Sequence, residues 1–187
     1  MDDVLAALRS GAPVIIPTDT VYGLAADPRV KGATERLFCL KGRATEKALP
    51  VLGGSLECLR DIALFDRRAE QLAERFWPGP LTLVLHRQSG CDWDLGGTDR
   101  STVAVRVPAH PLTLDLLAIS GPLAVTSANT SGAAPALTAD LAVAAFEEPV
   151  TALDGGPAAQ GLASTVLSLV DEPTILRVGA LPVGELL

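Results

Sequence analysis

Short β-branched runs alternate along this chain with longer stretches whose apolar residues recur three and four apart, the periodicities of strand and helix. Residues 4–9 predict a helix stopping at Gly11, and 14–16 a buried strand running into Pro17. Residues 31–40 predict an amphipathic helix with Leu37, Phe38 and Leu40 inward, followed by helices over 56–62 and 67–76. Trp77-Pro78-Gly79-Pro80 then breaks the pattern, because two prolines cannot donate to a helix ladder. Strands are expected over 82–85, 102–107, 123–126, 165–169 and 175–178, with helices over 111–119 and 139–146. The order is not strictly βαβ, and adjacent strands near the middle and end predict a mixed sheet in an α/β fold.

Composition narrows the class. The 187 residues suit one domain, 1–187, and 48% apolar against 20% charged residues describes a compact globule. Aromatics are only 4%, so aliphatic side chains and alanine must fill the core. No apolar run approaches the roughly 20 residues that span a bilayer, and the start, Met1-Asp2-Asp3, is acidic where a secretory signal is basic. The expectation is a cytoplasmic protein without a membrane partner. Three scattered cysteines argue against a disulfide framework; Cys39 and Cys58, among apolar neighbours, are expected in the core. Two histidines make a dedicated zinc site an unpromising reading, and no metal-ligating residue is nominated. The net charge of −7 opposes broad gripping of RNA phosphates, although a small basic pocket in an acidic globule is compatible with it.

Four segments carry candidate chemistry, and in each the polar residues recur two apart, which in extended backbone puts them on one face. Pro17-Thr18-Asp19-Thr20-Val21-Tyr22-Gly23-Leu24 follows the first strand, where open α/β sheets bind ligands, and offers the hydroxyls of Thr18 and Thr20; an ordinary turn is the alternative. Lys41-Gly42-Arg43, with Lys47, reads either as cations at a helix C-terminus or as a polyphosphate clamp; there is no Walker loop. In 102–107, Val103, Val105 and Val107 form one face and Thr102, Ala104 and Arg106 the other. An arginine inside a sheet needs an anion, either a structural carboxylate or a substrate carboxylate. Thr126-Ser127-Ala128-Asn129-Thr130-Ser131-Gly132 leaves a strand and can present hydroxyl, amide and backbone donors to phosphate, or be a plain polar loop.

Taken in order, these segments, with Trp77–Leu83 and the tail Ser164-Thr165-Val166 and Ile175-Leu176-Arg177, resemble the YrdC-like family of threonylcarbamoyl-AMP synthases. The resemblance covers about 14–181 and implies a twisted, largely open mixed α/β sheet with flanking helices around a concave cavity. It implies the short, single-domain form, since larger relatives carry a further C-terminal domain. It also implies a nucleotidyltransferase joining L-threonine, bicarbonate and ATP into threonylcarbamoyl-AMP and pyrophosphate, with Mg2+ on the phosphates. Downstream threonylcarbamoyl-transfer proteins would take the product, so tRNA is at most an indirect partner. Residue by residue, Thr20, Arg106, Thr126 and Ser164 match threonine-contacting positions. Lys41, Arg43, Lys47, Thr102, Ser127, Asn129 and Arg177 match positions around ATP, with Ala128 contributing backbone atoms, and Lys41 and Arg43 are the catalytic candidates. The chain departs from the family at Leu52, Ala136 and Ala163, where relatives often carry His, Ser and Glu. Those departures keep open a paralogue using another amino acid or carbamoyl donor. An RNA-binding module is the more distant alternative, opposed by the acidic charge and the lack of an aromatic stripe.

Overall fold

The computed structural model describes residues 1–42 and 47–186. Helix α1 (Asp2–Arg9) has two acidic residues in its first turn and Arg9 in its last, matching the helix dipole at both ends. Strand β1 (Val14–Ile16) and strand β2 (Gly23–Ala26) are joined by the tight segment 17–22. Helix α2 (Ala33–Lys41) ends at Gly42, whose φ of 60° is the left-handed conformation that glycine tolerates best. Strand β3 (Val51–Leu52) leads to α3 (Leu56–Arg60) and α4 (Arg67–Phe76), capped by the side chains of Ser55 and Asp66. After the Trp77–Pro80 break come β4 (Leu81–His86), β5 (Thr102–Arg106), α5 (Pro111–Ser120) with proline in its first turn, and β6 (Leu123–Ser127). Helix α6 (Ala139–Ala144), β7 (Thr151–Ala152), β8 (Thr165–Ser168) and β9 (Thr174–Arg177) complete the order.

The strands form a mixed sheet in the order β7-β1-β2-β6-β3-β5-β4-β8-β9, with β1/β7, β3/β5 and β4/β8 parallel and the other neighbours antiparallel. This is the mixed, open α/β sheet expected from the sequence. Side-chain alternation sorts it into two faces. Ile15, Leu24, Val51, Leu83, Leu85, Val103, Val105 and Leu167 belong to the larger cluster, packed with Leu37 and Phe38 of α2, Leu72 of α4 and Ala142 of α6. Val14, Ile16, Ala25, Leu52, Leu123 and Val125 form the second cluster with Val4, Leu5 and Leu8 of α1 and Leu116 and Leu117 of α5.

That second face is covered only over the β1–β3 half. Further along, Val84, Ala104, Val166 and Ser168 are half-buried, while their strand neighbours on the opposite face are fully buried. The sheet therefore has an uncovered, hollow side, and the strand ends around it meet the segment 17–22 and the loop after β6.

Three strands go beyond the sequence reading. β2 lies where an extended loop was expected, and β3 and β7 have two residues each, too short for periodicity to register. One expectation is corrected. Cys39 is exposed, because the buried stripe of α2 runs through Ala33, Thr34, Leu37, Phe38 and Lys41 and leaves Cys39 on the outer side. Cys58 is half-buried against the core, and so is Leu40.

Tyr22 ties the end of the β1–β2 connection to the segment after β7. Fully buried, its hydroxyl donates to Gly156 O at 2.7 Å and accepts from Gly155 N at 3.1 Å. Burial, with the Asp154 carboxylate adding to it, raises the phenol above its ordinary pKa, so it stays a neutral donor. Tyr22→Phe strands both backbone groups and is expected to lower unfolding stability by about 1–3 kcal/mol. Urea denaturation with an unchanged m-value measures this; a variant as stable as the parent would remove Tyr22 from that role.

Candidate functional site

The hollow side contains a cavity of about 640 Å3, within the usual range for small-molecule sites, roughly 300–1,000 Å3. It forms because the chain directions of the strands bring many ends to one edge of the sheet. The C-terminal ends of β3, β5, β6 and β9 deliver Leu52, Arg106, Ser127 and Arg177, the N-terminal ends of β2 and β4 deliver Gly23 and Thr82, and Ser164 immediately precedes β8. Thr20 comes from the β1–β2 connection and Lys41 from the end of α2.

One wall is cationic. Lys41 is buried, and its ammonium lies 2.5 Å from Ser127 O, 2.9 Å from Asn129 O and 3.2 Å from Asn129 Oδ1. Ser127 Oγ is 3.3 Å away. The Asn129 amide nitrogen donates back into its own loop, to Thr130 O and Ala133 O, so the loop after β6 is folded around the lysine. Lys47 lines the same cavity from an exposed position. On the far side, Arg177 donates from Nε to Ser164 O and from Nη2 to Ser164 Oγ, both at 3.0 Å. Desolvation lowers its pKa from the ordinary arginine value, yet an arginine stays charged at any physiological pH.

The other wall is built on Arg106. In register with Leu52, it projects from the uncovered face, as the strand alternation predicts. Its Nε donates to Gly79 O at 2.9 Å, Nη1 to Thr20 Oγ1 at 3.0 Å and Nη2 to Asp19 Oδ1 at 2.6 Å. Burial lowers its pKa, and the adjacent Asp19 carboxylate opposes that shift. A guanidinium has five N–H groups; the three bonds leave one N–H on each terminal nitrogen, a pair suited to a planar carboxylate. The sequence left two readings of this arginine, a structural ion pair or a ligand carboxylate. The ion pair is present, and the same side chain also lines the cavity.

Gly79 makes the Arg106 contact possible. A Cβ there would sit 2.3 Å from Phe76 O, so only glycine lets the chain turn closely enough to offer its carbonyl. Thr18 organises the neighbouring turn: its hydroxyl donates to Val21 O at 2.6 Å and accepts from Val21 N, with Thr20 Oγ1 2.9 Å away. The spacing of two thus places Thr18 and Thr20 together through a hydrogen-bonded turn and not through extended backbone.

Of the residues nominated from sequence, Thr20, Lys41, Lys47, Arg106, Thr126, Ser127, Asn129, Ser164 and Arg177 line this one cavity. Two do not. Thr102 begins β5 at the opposite end from Arg106, pairs with His86 and faces Asp99, because three residues of strand separate it from Arg106 at the cavity edge. Ala128 is fully buried and its backbone N–H donates to Tyr22 O at 2.8 Å, so that group is already engaged within the fold. Arg43 lies outside the described residues. Leu52 and Ala163 line the cavity with apolar surface, and Ala136 is buried beside it, its carbonyl accepting from Tyr22 N. Thr82 was read as part of a strand and of the Trp77–Leu83 segment, without a role of its own. It is buried, lines the cavity and bonds Ser164 Oγ at 2.8 Å; a hydroxyl in an otherwise apolar strand was its signal. Asp19 was quoted within its motif but given no part.

The cavity combines ammonium and guanidinium groups with hydroxyls and amides, a lining suited to anions. Lys41→Met keeps the aliphatic stem and removes the charge. Its affinity for inorganic tripolyphosphate is expected to fall by about tenfold or more; titration calorimetry with unchanged affinity would contradict the cationic-wall assignment.

Comparison with known proteins gives concordant matches. The Sua5/YciO/YrdC family, described as "Telomere recombination", matches residues 6–179. A Mycobacterium leprae (strain TN) protein is 40% identical over 185 residues, covering 97% of this chain and 84% of that one. A Pyrococcus abyssi protein named threonylcarbamoyl-AMP synthase is 41% identical over 184 residues, covering 96% of this chain and 54% of that one. The crystal structure of P. abyssi Sua5 complexed with L-threonine superposes with a TM-score of 0.90 at 38% identity, covering 98% of this chain and 55% of that one. The chain thus spans about half the length of the P. abyssi protein.

Proposed function

The chain belongs to the Sua5/YciO/YrdC family, and on that premise we propose that it is an L-threonylcarbamoyladenylate synthase. The observation that carries this reading is one cavity with two chemically distinct walls. Lys41, Lys47, Ser127, Asn129 and Arg177 suit a triphosphate, while Arg106, Thr20 and Ser164 suit an amino acid. The relatives named threonylcarbamoyl-AMP synthase, and the P. abyssi structure holding L-threonine, support the same pair of substrates.

In the reaction, the threonine amine adds to CO2 supplied by bicarbonate, forming a C–N bond and releasing a proton to solvent. A carbamate oxygen then attacks the α-phosphate of ATP in line, and the bond to the β-phosphate oxygen breaks with departure of pyrophosphate. Such a step depends on positioning and on neutralising charge over the phosphates, and it needs no protein nucleophile. The two unused N–H groups of Arg106 hold the threonine carboxylate, with Thr20, Thr126 and Ser164 around the rest of the molecule. Lys41 and Arg43 neutralise the phosphates. Among the described residues no group of three or more His, Cys, Asp or Glu could hold a metal ion. Mg2+ would be held by the phosphate oxygens of ATP and by water, and would supply further charge neutralisation there. The product passes to threonylcarbamoyl-transfer proteins that act on tRNA, so the chain itself has no need of an RNA-binding face. No helix among the described residues is long and apolar enough to cross a membrane.

Pyrophosphate release in bicarbonate buffer, assayed with each amino acid in turn, is expected to depend on threonine. Release that ignores threonine, or prefers another amino acid, would refute the assignment. Arg43→Ala is expected to abolish release while leaving the fold intact by circular dichroism; near-normal turnover would remove Arg43 from the mechanism. Arg106→Lys retains a charge for Asp19 but lacks the planar fork. It is expected to raise the threonine KM by about tenfold or more, and an unchanged KM would overturn the carboxylate assignment.

A further inference from the structure

Asp19 stands directly behind Arg106, between two hydroxyl residues that line the cavity, Thr18 and Thr20. Both members of the ion pair are almost entirely buried. Asp19 Oδ1 accepts from Arg106 Nη2 at 2.6 Å and from Ala109 N at 3.0 Å, while Oδ2 is buried with no partner among the described residues. A carboxylate that needed only to complete the fold would be expected to have both oxygens satisfied, since an unmatched buried acceptor is costly. Arg177, the cavity arginine assigned to the triphosphate, bonds Ser164 and forms no ion pair among the described residues. Among the described residues Arg106 is thus the cavity arginine that the protein pairs with its own carboxylate.

The charge balance at this end of the cavity distinguishes two kinds of ligand. An isolated buried guanidinium attracts any monoanion, so a simple carboxylic acid would satisfy it as well as an amino acid does. With Asp19 in place the pair is neutral overall. Arg177 adds a positive charge nearby, but against any fixed background the Asp19 charge disfavours a bare carboxylate and is offset by the ammonium of a zwitterion. Resting on the assignment of the substrate carboxylate to Arg106, we infer that Asp19 is a positioning and specificity residue: it aims the guanidinium at the cavity and biases the site toward amino acids over carboxylates lacking an ammonium group. Asp19 acts through Arg106 and through its field, because it does not itself line the cavity.

The informative probe is (R)-3-hydroxybutyrate, which is L-threonine with the amine replaced by hydrogen. Asp19→Asn is nearly isosteric; its amide oxygen can keep the Arg106 and Ala109 bonds while the charge is lost. Binding of both ligands, measured by calorimetry at neutral pH, is expected to favour threonine in the parent by at least about tenfold, and that preference is expected to shrink by about tenfold in the variant. The variant's threonine KM rises while kcat and the ATP KM change by less than about threefold. A merely structural role would weaken both ligands in proportion, and that outcome, or an unchanged preference, overturns the inference. If the variant does not fold, the parent still decides: equal affinity for the two ligands refutes charge matching. A parent that binds hydroxybutyrate tightly but not threonine overturns the carboxylate assignment as well, whereas proportional weakening with threonine binding intact overturns only the part given to Asp19.

Discussion

A guanidinium buried on a sheet is the constraint around which this site is arranged. Arg106 cannot occupy the end of β5 without acceptors, and the three it finds come from places far apart in the chain: Gly79 in the break after α4, and Asp19 and Thr20 in the β1–β2 connection. Each contact requires something of the local backbone. Gly79 must lack a Cβ to turn beneath Phe76, and the 17–22 segment must fold back through the Thr18 hydroxyl. Removing one partner from a buried ion pair typically costs about 3–5 kcal/mol. The arginine therefore fixes the relation between the two halves of the sheet at the point where they enclose the cavity.

The same logic operates on the opposite wall with neutral oxygens. Lys41 ends α2, and its ammonium gathers the carbonyls of Ser127 and Asn129 beyond β6. The α2 helix stops there because Gly42 takes the left-handed conformation. Between the two walls, Thr82, Ser164 and Arg177 form a continuous hydrogen-bonded run across β4, β8 and β9. A hydroxyl and cation lining that spans two walls suits a bimolecular reaction in which orientation and charge neutralisation supply most of the rate.

Much of this was legible in the sequence where a residue violated the pattern around it. Arg106 among valines, and Lys41 closing an amphipathic helix, stood out because a charge in a regular apolar setting needs a reason. The helix over 67–76 was equally clear, having strong periodicity, whereas that over 111–119 is apolar on most sides and was marked instead by the proline that opens it. What escaped notice was set by contacts over long separations. β3 and β7 are two-residue strands defined by their neighbours, and the Thr82 hydroxyl, out of place in an apolar strand, finds its partner only when Ser164 arrives from a distant segment. Thr102 shares the Arg106 face, but alternation says nothing about distance along a strand, and it lies at the far end from the cavity. Asp19 was visible as a residue, while its pairing with Arg106 depends on a fold that brings positions 19 and 106 together.

The central claim is that one hollow holds a triphosphate and an amino acid together. Calorimetric titration of L-threonine into protein already saturated with a non-hydrolysable ATP analogue and Mg2+ tests it most directly. The account predicts one threonine bound per chain with affinity equal to or greater than that of the nucleotide-free protein. Loss of threonine binding in proportion to nucleotide occupancy would mean that the two ligands compete for the same space, and would contradict it.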